Sequence, residues 1–442
     1  MRTRGRGKFL LLIIVIIAGL VVSCRNEGRS RTGMAPAASV PVARSLPPLP
    51  VRPLTPELSA MRERAMRESS TLRGLSFTGE VGMTELSGWE YGKRTTEMAE
   101  ALGGDEMRAL GRLAAAGGVL PEGIDLAALA GSFTALSAGA TYSPLDKQVL
   151  LVDKNADRSL LTHEFTHALQ DQHFDLMKLL VVRPYDFDRT EALFAVIEGD
   201  AMNVQRRSEE GDAYGRKSLE DITRQERERF QAYRKEAGQL FPPLLIETFS
   251  FRYRDGSRFV EEVRRKNGVR GVNDLFTRTP LSSEQILHPE KYFQNERPRD
   301  INLDETAFGA SGWRLVTSTP LGEIGVRGIL MAGISERDAT RAAAGWGGDR
   351  AFLFERQGGS LFVWKTIWDK AADAEEFFRA YNEMEKLRGG TEQTASPAQA
   401  DAAQTTWREA GRLVIVRREG NTVIIIRGAD TDAHTTLELA RR

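Results

Sequence analysis

A single cysteine, Cys24, stands in the 442 residues, so no intramolecular disulfide can form and stability must come from core packing. Neither sign of charge is in excess. Lys+Arg and Asp+Glu both number 61, which excludes a global pull toward nucleic acid. Histidine is scarce, with five in the whole chain. No apolar run reaches the roughly 20 residues that a membrane-spanning helix needs. No internal repeat is visible. What remains is an ordinary globular composition, 41% hydrophobic and 28% charged, in a chain long enough for two or three domains of about 150 residues.

The N-terminus departs from that average. Arg2, Arg4, Arg6 and Lys8 precede the apolar stretch Phe9–Val22, and no acid occurs before Cys24. A basic start and an apolar core too short to span a bilayer describe a signal peptide over residues 1–23. The stretch ends Val21-Val22-Ser23-Cys24 and resembles the lipobox of bacterial lipoproteins, in which the cysteine thiol receives a lipid. Removal of the signal peptide leaves 57 positive against 61 negative charges, so the mature chain is mildly acidic. The next residues, through 54, carry Pro36, Pro41, Pro47, Pro48, Pro50 and Pro53 and suit an extended tether from the membrane. The expected localisation is the cell envelope, with the chain anchored at Cys24.

Thr55-Pro56-Glu57 marks the first helix, expected to run to about Arg67: an N-cap residue, a proline at the first helical position and an acid in the first turn. The pattern then stays mostly helical to about 135, and a short strand follows at 148–152, expected at a sheet edge. Helices are expected at 158–178, 189–208 and 216–238, then short helices and loops over 244–300. After about 320 the texture becomes strand-like, at 351–356, 361–368, 412–418 and 421–427, around a helix at 371–388. The Ala/Gln/Thr-rich piece 391–406 reads as a loop. The fold class is α+β, with a mainly helical domain at 55–320 carrying a short mixed sheet, and a smaller α+β domain at 321–442.

The chemistry lies in His163-Glu164-Phe165-Thr166-His167. Two histidines four apart share one face of a helix, so their imidazoles can reach one zinc ion while Glu164 sits beside the open position as general base. A further protein ligand is needed, and there are two candidates. His173 has metzincin spacing, but Gln170 stands where that pattern needs a glycine to leave the helix. Glu198 is the stronger candidate. It sits in the apolar stretch Ala192–Ala201, where an unpaired carboxylate would cost several kcal/mol unless a metal or an arginine met it. Asp200 and Asp171 are the carboxylates nearest in sequence to orient the ligand histidines.

The run His163–Gln172, followed by Glu198-Gly199-Asp200-Ala201, resembles an exported prokaryotic family of largely uncharacterised HExxH lipoproteins. Its site is similar to that of the gluzincins, the thermolysin-like and neprilysin-like peptidases with a glutamate third ligand. Arg252–Gly256 and Pro280–Pro289 extend the resemblance, and Gly345–Arg350 does so more weakly. In thermolysin itself the glutamate comes sooner after the helix. The resemblance implies a zincin-like fold, one zinc ion, a peptide or protein substrate, and a histidine or tyrosine that holds the oxyanion. His288 is the first candidate for that last role and Tyr253 the second. The expected function is therefore a membrane-anchored zinc endopeptidase. Its rival is an envelope lipoprotein that binds a partner and keeps a non-catalytic metal.

Overall fold

The computed structural model describes residues 46–50, 52–126, 128–129, 139–152, 157–180, 185–399 and 402–441. The expected signal peptide, Cys24 and the first part of the tether lie outside them. No helix among the described residues is long and apolar enough to cross a membrane.

The protein is α+β, with two sheets set among helices. The first helix, Pro56–Arg73, begins as expected: the Thr55 side chain accepts from the Leu58 N–H, and Pro56 occupies the first turn. It ends six residues later than expected, on Gly74 in the left-handed conformation. The residues just before it are not a free tether. The Pro47 carbonyl accepts from Arg94, Arg52 pairs with Glu90, and Leu49 and Leu54 pack on buried side chains.

Three short strands form the first sheet: β1 (Gly82–Leu86), β2 (Ala140–Ser143) and β3 (Gln148–Val152). Their order is β1-β3-β2, with β1 parallel and β2 antiparallel to β3. The strand at 148–152 is thus central, not an edge. The reason lies in its sequence: Val149-Leu150-Leu151-Val152 is apolar on both faces and is wholly buried. Strand β2 takes the edge instead.

The second sheet has seven strands in the order β4-β5-β6-β10-β9-β8-β7. They are β4 (Arg314–Thr319), β5 (Trp346–Arg356), β6 (Gly359–Trp368), β7 (Thr391–Gln399), β8 (Ala402–Glu409), β9 (Arg412–Glu419) and β10 (Thr422–Gly428). The expected loop at 391–406 is a paired hairpin. Both faces are covered, which explains the unbroken runs Leu413–Val416 and Val423–Ile426. Val414, Val416, Val423 and Ile425 face the helix Ala371–Leu387, while Leu413, Ile415, Ile424 and Ile426 face the helix Asp430–Arg441. The helix Gly88–Ala116 joins the first of these cores through Met107, Leu110 and Leu113, so the N-terminal part packs directly on the second sheet.

A second departure from expectation is a long helical segment, Pro243–Asp274, kinked at Gly268, in place of short helices and loops. Its only non-helical residue is Gly268. Gly256 lies inside this helix for a packing reason given below.

Candidate metal centre

The motif helix, Arg158–Phe174, is capped by Asp157, whose side chain accepts from the Leu160 N–H at 2.9 Å. Every residue from Leu160 to Asp171 is buried, so this helix runs through the interior and each polar group on it needs a partner. His163 and His167 meet edge to face, with ring centroids 4.6 Å apart and planes at 68°. Against them lies the helix Phe187–Glu210, which presents Glu198: its Oε2 is 3.3 Å from His163 Nε2 and 3.5 Å from His167 Nε2. One ligand atom from each of the three residues falls within 4.8 Å of the others.

The two histidines are oriented by amides rather than by carboxylates. His163 Nδ1 lies 3.1 Å from Gln205 Oε1, and His167 Nδ1 lies 2.8 Å from Gln170 Oε1. Such bonds leave both Nε2 atoms aimed at Glu198. Gln170 is itself held, donating to the Ile197 carbonyl and to Asp200 Oδ2, both at 3.0 Å. Asp200 Oδ2 also accepts from Arg73 Nε at 2.6 Å, in a pair with almost no exposure. Asp200 therefore acts on His167 at one remove. The sequence reading missed Gln170, Gln205 and Arg73. For Gln170, the signal was its i+3 spacing from His167.

Asp171 does not orient a ligand histidine. Its Oδ2 accepts from the Tyr142 hydroxyl and from Lys147 Nζ, both at 2.7 Å. It thereby fixes β2, and the backbone N–H of Tyr142 donates to Glu164 Oε2 at 2.6 Å. The other carboxylate oxygen, Glu164 Oε1, is buried without a hydrogen-bond partner, as is His167 Nε2. Burial pushes the Glu164 carboxyl well up, and the Tyr142 N–H only partly opposes it.

Two expected residues stand elsewhere. His173 is exposed and its Nε2 lies 2.8 Å from the Ser76 carbonyl, so the metzincin alternative finds no ligand there. His288 is held by another partner. Its Nε2 bonds Glu323 at 3.0 Å, and neither residue belongs to the His163–His167–Glu198 group. Arg258 holds the Ile286 and Leu287 carbonyls just before it, which fixes His288 on the helix Gly322–Leu330 side. Tyr253 takes the place beside Glu198. Burial and that carboxylate together keep its hydroxyl protonated.

The segment Arg252–Gly256 now has a residue-by-residue account. Arg252 pairs bidentately with Glu191 at 2.7 Å, Tyr253 faces Glu198, and Arg254 bonds Glu247 and Asp255. Gly256 lies against the Glu198 helix: a Cβ on it would come within 2.2 Å of the Ala195 carbonyl oxygen.

The protonation pattern suits a cation. Burial holds His163 down to about 4, so it is neutral at pH 7. Burial opposes ionisation of Glu198, but the two imidazoles beside it more than offset that and hold it at about 2. The neutral His163 imidazole and the ionised Glu198 carboxylate are the forms in which these side chains bind metal. A second acidic group, Glu284, Glu296 and Asp369, closes instead around the Lys291 ammonium.

A family model described as a domain of unknown function (DUF8575) matches residues 313–438, the span of the seven-stranded sheet and its helices rather than the His163–His167–Glu198 centre. No curated protein and no solved structure matches the chain.

Proposed function

We propose that the chain is a zinc-dependent endopeptidase of zincin-like, gluzincin-type architecture, tethered to a membrane of the cell envelope by lipid on Cys24. The observation that carries the reading is His167 Nε2, buried without a hydrogen-bond partner in one cluster with His163 and Glu198, together with the equally unpartnered Glu164 Oε1 on the same helix. Interiors rarely leave such atoms unmet unless a bound group meets them. Two imidazoles and one carboxylate are a donor set that zinc accepts while keeping a position open.

His163, His167 and Glu198 would hold one ion, which supplies Lewis acidity to a peptide carbonyl. Glu164 takes the proton of the attacking water, the new C–O bond forms as the C–N bond breaks, and the proton passes to the departing amine. The raised affinity of Glu164 for protons serves both steps. Tyr253, kept protonated, donates to the oxygen that gains charge. The edge of β2, whose Tyr142 N–H already points at Glu164, is where an extended peptide adds as another strand. A partner-binding lipoprotein with a non-catalytic metal is the rival reading. It gives Glu164 nothing to do.

The test uses the full chain. Wild type and Glu164→Gln should each bring about one equivalent of zinc, and the variant should cleave peptides at least about 10²-fold more slowly. An equal rate, or zinc without cleavage in wild type, favours the rival. For the anchor, Cys24→Ser should abolish incorporation of labelled fatty acid, and continued labelling sinks that part of the reading.

A further inference from the structure

The segment Gly345–Arg350 takes no part in the metal centre. Its glycines admit a neighbouring stretch of chain. A Cβ on Gly348 would lie 2.3 Å from the Arg299 carbonyl oxygen, and the Arg299 N–H donates to the Gly347 carbonyl at 2.8 Å. Residues 297–301 are thereby held against the start of β5, and the beginning of the helix Phe187–Glu210 closes a third side. Between these three segments lies a cavity of about 180 Å³.

Four arginines line it, Arg189, Arg297, Arg299 and Arg350, and each of the three segments contributes at least one. Arg299 reaches Asp369 at 3.4 Å and the Trp368 carbonyl at 2.9 Å. Arg189, Arg297 and Arg350 form no ion pair among the described residues, and Arg350 Nε is buried without a hydrogen-bond partner. Water could meet that one N–H. It would not offset the mutual repulsion of several guanidinium charges around one small space.

The acids of the wall do not offset it either. Asp349 accepts from the backbone N–H groups of Leu321 and Gly322 and from the indoles of Trp346 and Trp364, at 3.0, 2.8, 3.1 and 2.7 Å. Asp188 Oδ1 accepts from the Ser283 N–H at 2.8 Å, and Asp186 caps its helix through the Arg189 N–H at 2.9 Å. Asp300 is exposed to solvent. Burial raises the carboxyls of Asp186, Asp188 and Asp349, the second well up and the third to about 6. The N–H groups they accept from, and at Asp186 the charges of Arg350 and Arg189, only partly oppose this. The negative charge of the wall is therefore weaker than its acids suggest, and the arginines keep donors to spare.

We propose that this cavity is a binding site for a phosphate group, carried as a monoester by a soluble molecule or by a lipid headgroup. A guanidinium meets an oxyanion through paired N–H donors, and several of them suit a tetrahedral dianion, which offers more oxygens than one carboxylate does. The site is separate from the metal centre. Asp188 and Glu198 stand ten residues apart on one helix, roughly 15 Å along its axis. The inference does not depend on the peptidase reading.

The test is calorimetry on the full chain in detergent, with glycerol 3-phosphate, dioctanoyl phosphatidic acid and malonate as probes. At least one phosphate monoester should bind, and malonate should bind at least about tenfold more weakly. Arg350→Gln and Arg189→Gln should each weaken the monoester at least about tenfold, the loss expected for a hydrogen bond to a charged group. Urea midpoints show whether each variant folds, and either one suffices. Arg337→Gln removes the same charge from an exposed position outside the cavity and should change nothing. Tighter binding of phosphatidic acid than of glycerol 3-phosphate makes a lipid headgroup the source, and equal or weaker binding makes it a soluble ester. No binding of either monoester, malonate bound as well as phosphate, or an equal effect of Arg337→Gln overturns the proposal. Binding that zinc removal abolishes and Arg350→Gln leaves intact also overturns it, because the anion would then sit on the metal.

Discussion

Gly199 and Gly256 meet where two helices cross, with no room for a side chain on either. A Cβ on Gly199 would lie 2.3 Å from the carbonyl carbon and oxygen of Gly256. This contact brings Glu198 and Tyr253, each within three residues of the crossing, onto a common site. Gly199→Ala should therefore force the helices apart and cost at least about 2 kcal/mol, read as a lowered urea midpoint. Zinc content should fall with it, because the carboxylate moves away from the two imidazoles. An unchanged midpoint would show that the crossing has slack.

The ligand set is decided by a pair of substitutions. Glu198→Ala should lower zinc affinity by more than the roughly 10- to 100-fold typical of groups outside the coordination sphere. His173→Ala should leave it unchanged, since that imidazole bonds the Ser76 carbonyl at the surface. Competition with a chromophoric chelator measures both, and the opposite ranking would move the site to His173.

Asp200 joins Arg73 to Gln170, and through Gln170 to His167. Asp200→Asn leaves the Arg73 guanidinium buried without its counter-charge, at a cost of about 3–5 kcal/mol. Zinc affinity should also drop by about tenfold as Gln170 loosens its hold on His167. Thermal denaturation with and without zinc separates the two effects. A variant with normal affinity would show that the Ile197 carbonyl alone suffices to hold Gln170.

His288 supplies a prediction for pH. Its hydrogen bond to Glu323 is the main cause that raises its pKa above the ordinary 6.5. A raised folded-state value contributes stability that is full below 6.5 and lost as the pH rises through the folded value. The stability deficit of His288→Ala should therefore be largest near about pH 5.5 and shrink by about pH 8.5. Because His288 is not beside the metal ligands, kcat at pH 7 should stay within about twofold. A larger fall in kcat at normal stability would return His288 to the chemistry.

Where local rules are strong, the sequence reading reached the structure. Thr55-Pro56 starts the first helix as an N-cap and a first-turn proline require, whereas its end at Gly74 lies beyond the expected Arg67. The spacing of His163 and His167 puts both on one helical face. Glu198 could be picked out because a carboxylate within the apolar stretch Ala192–Ala201 makes little sense without a partner. The errors have a common origin. The stretch 244–267 was expected as short helices and loops but is continuous helix up to the kink at Gly268, because a sequence does not reveal that Gly256 is empty for another backbone to approach. The 391–406 hairpin has weak local preference and owes its strands to β9, which β8 pairs along its length.

The sequence alone determined the motif and the helix that carries it, because each depends on neighbours within a few positions. Only the tertiary structure decided that β3 is central and β2 the edge, since sheet order depends on which distant segments arrive on either side. It also placed Glu198, and not the exposed His173, against His163 and His167. Glu198 lies 35 residues from His163 and Tyr253 a further 55, and no spacing rule spans such distances. Helix crossing does, and here it depends on two glycines that leave the space for it.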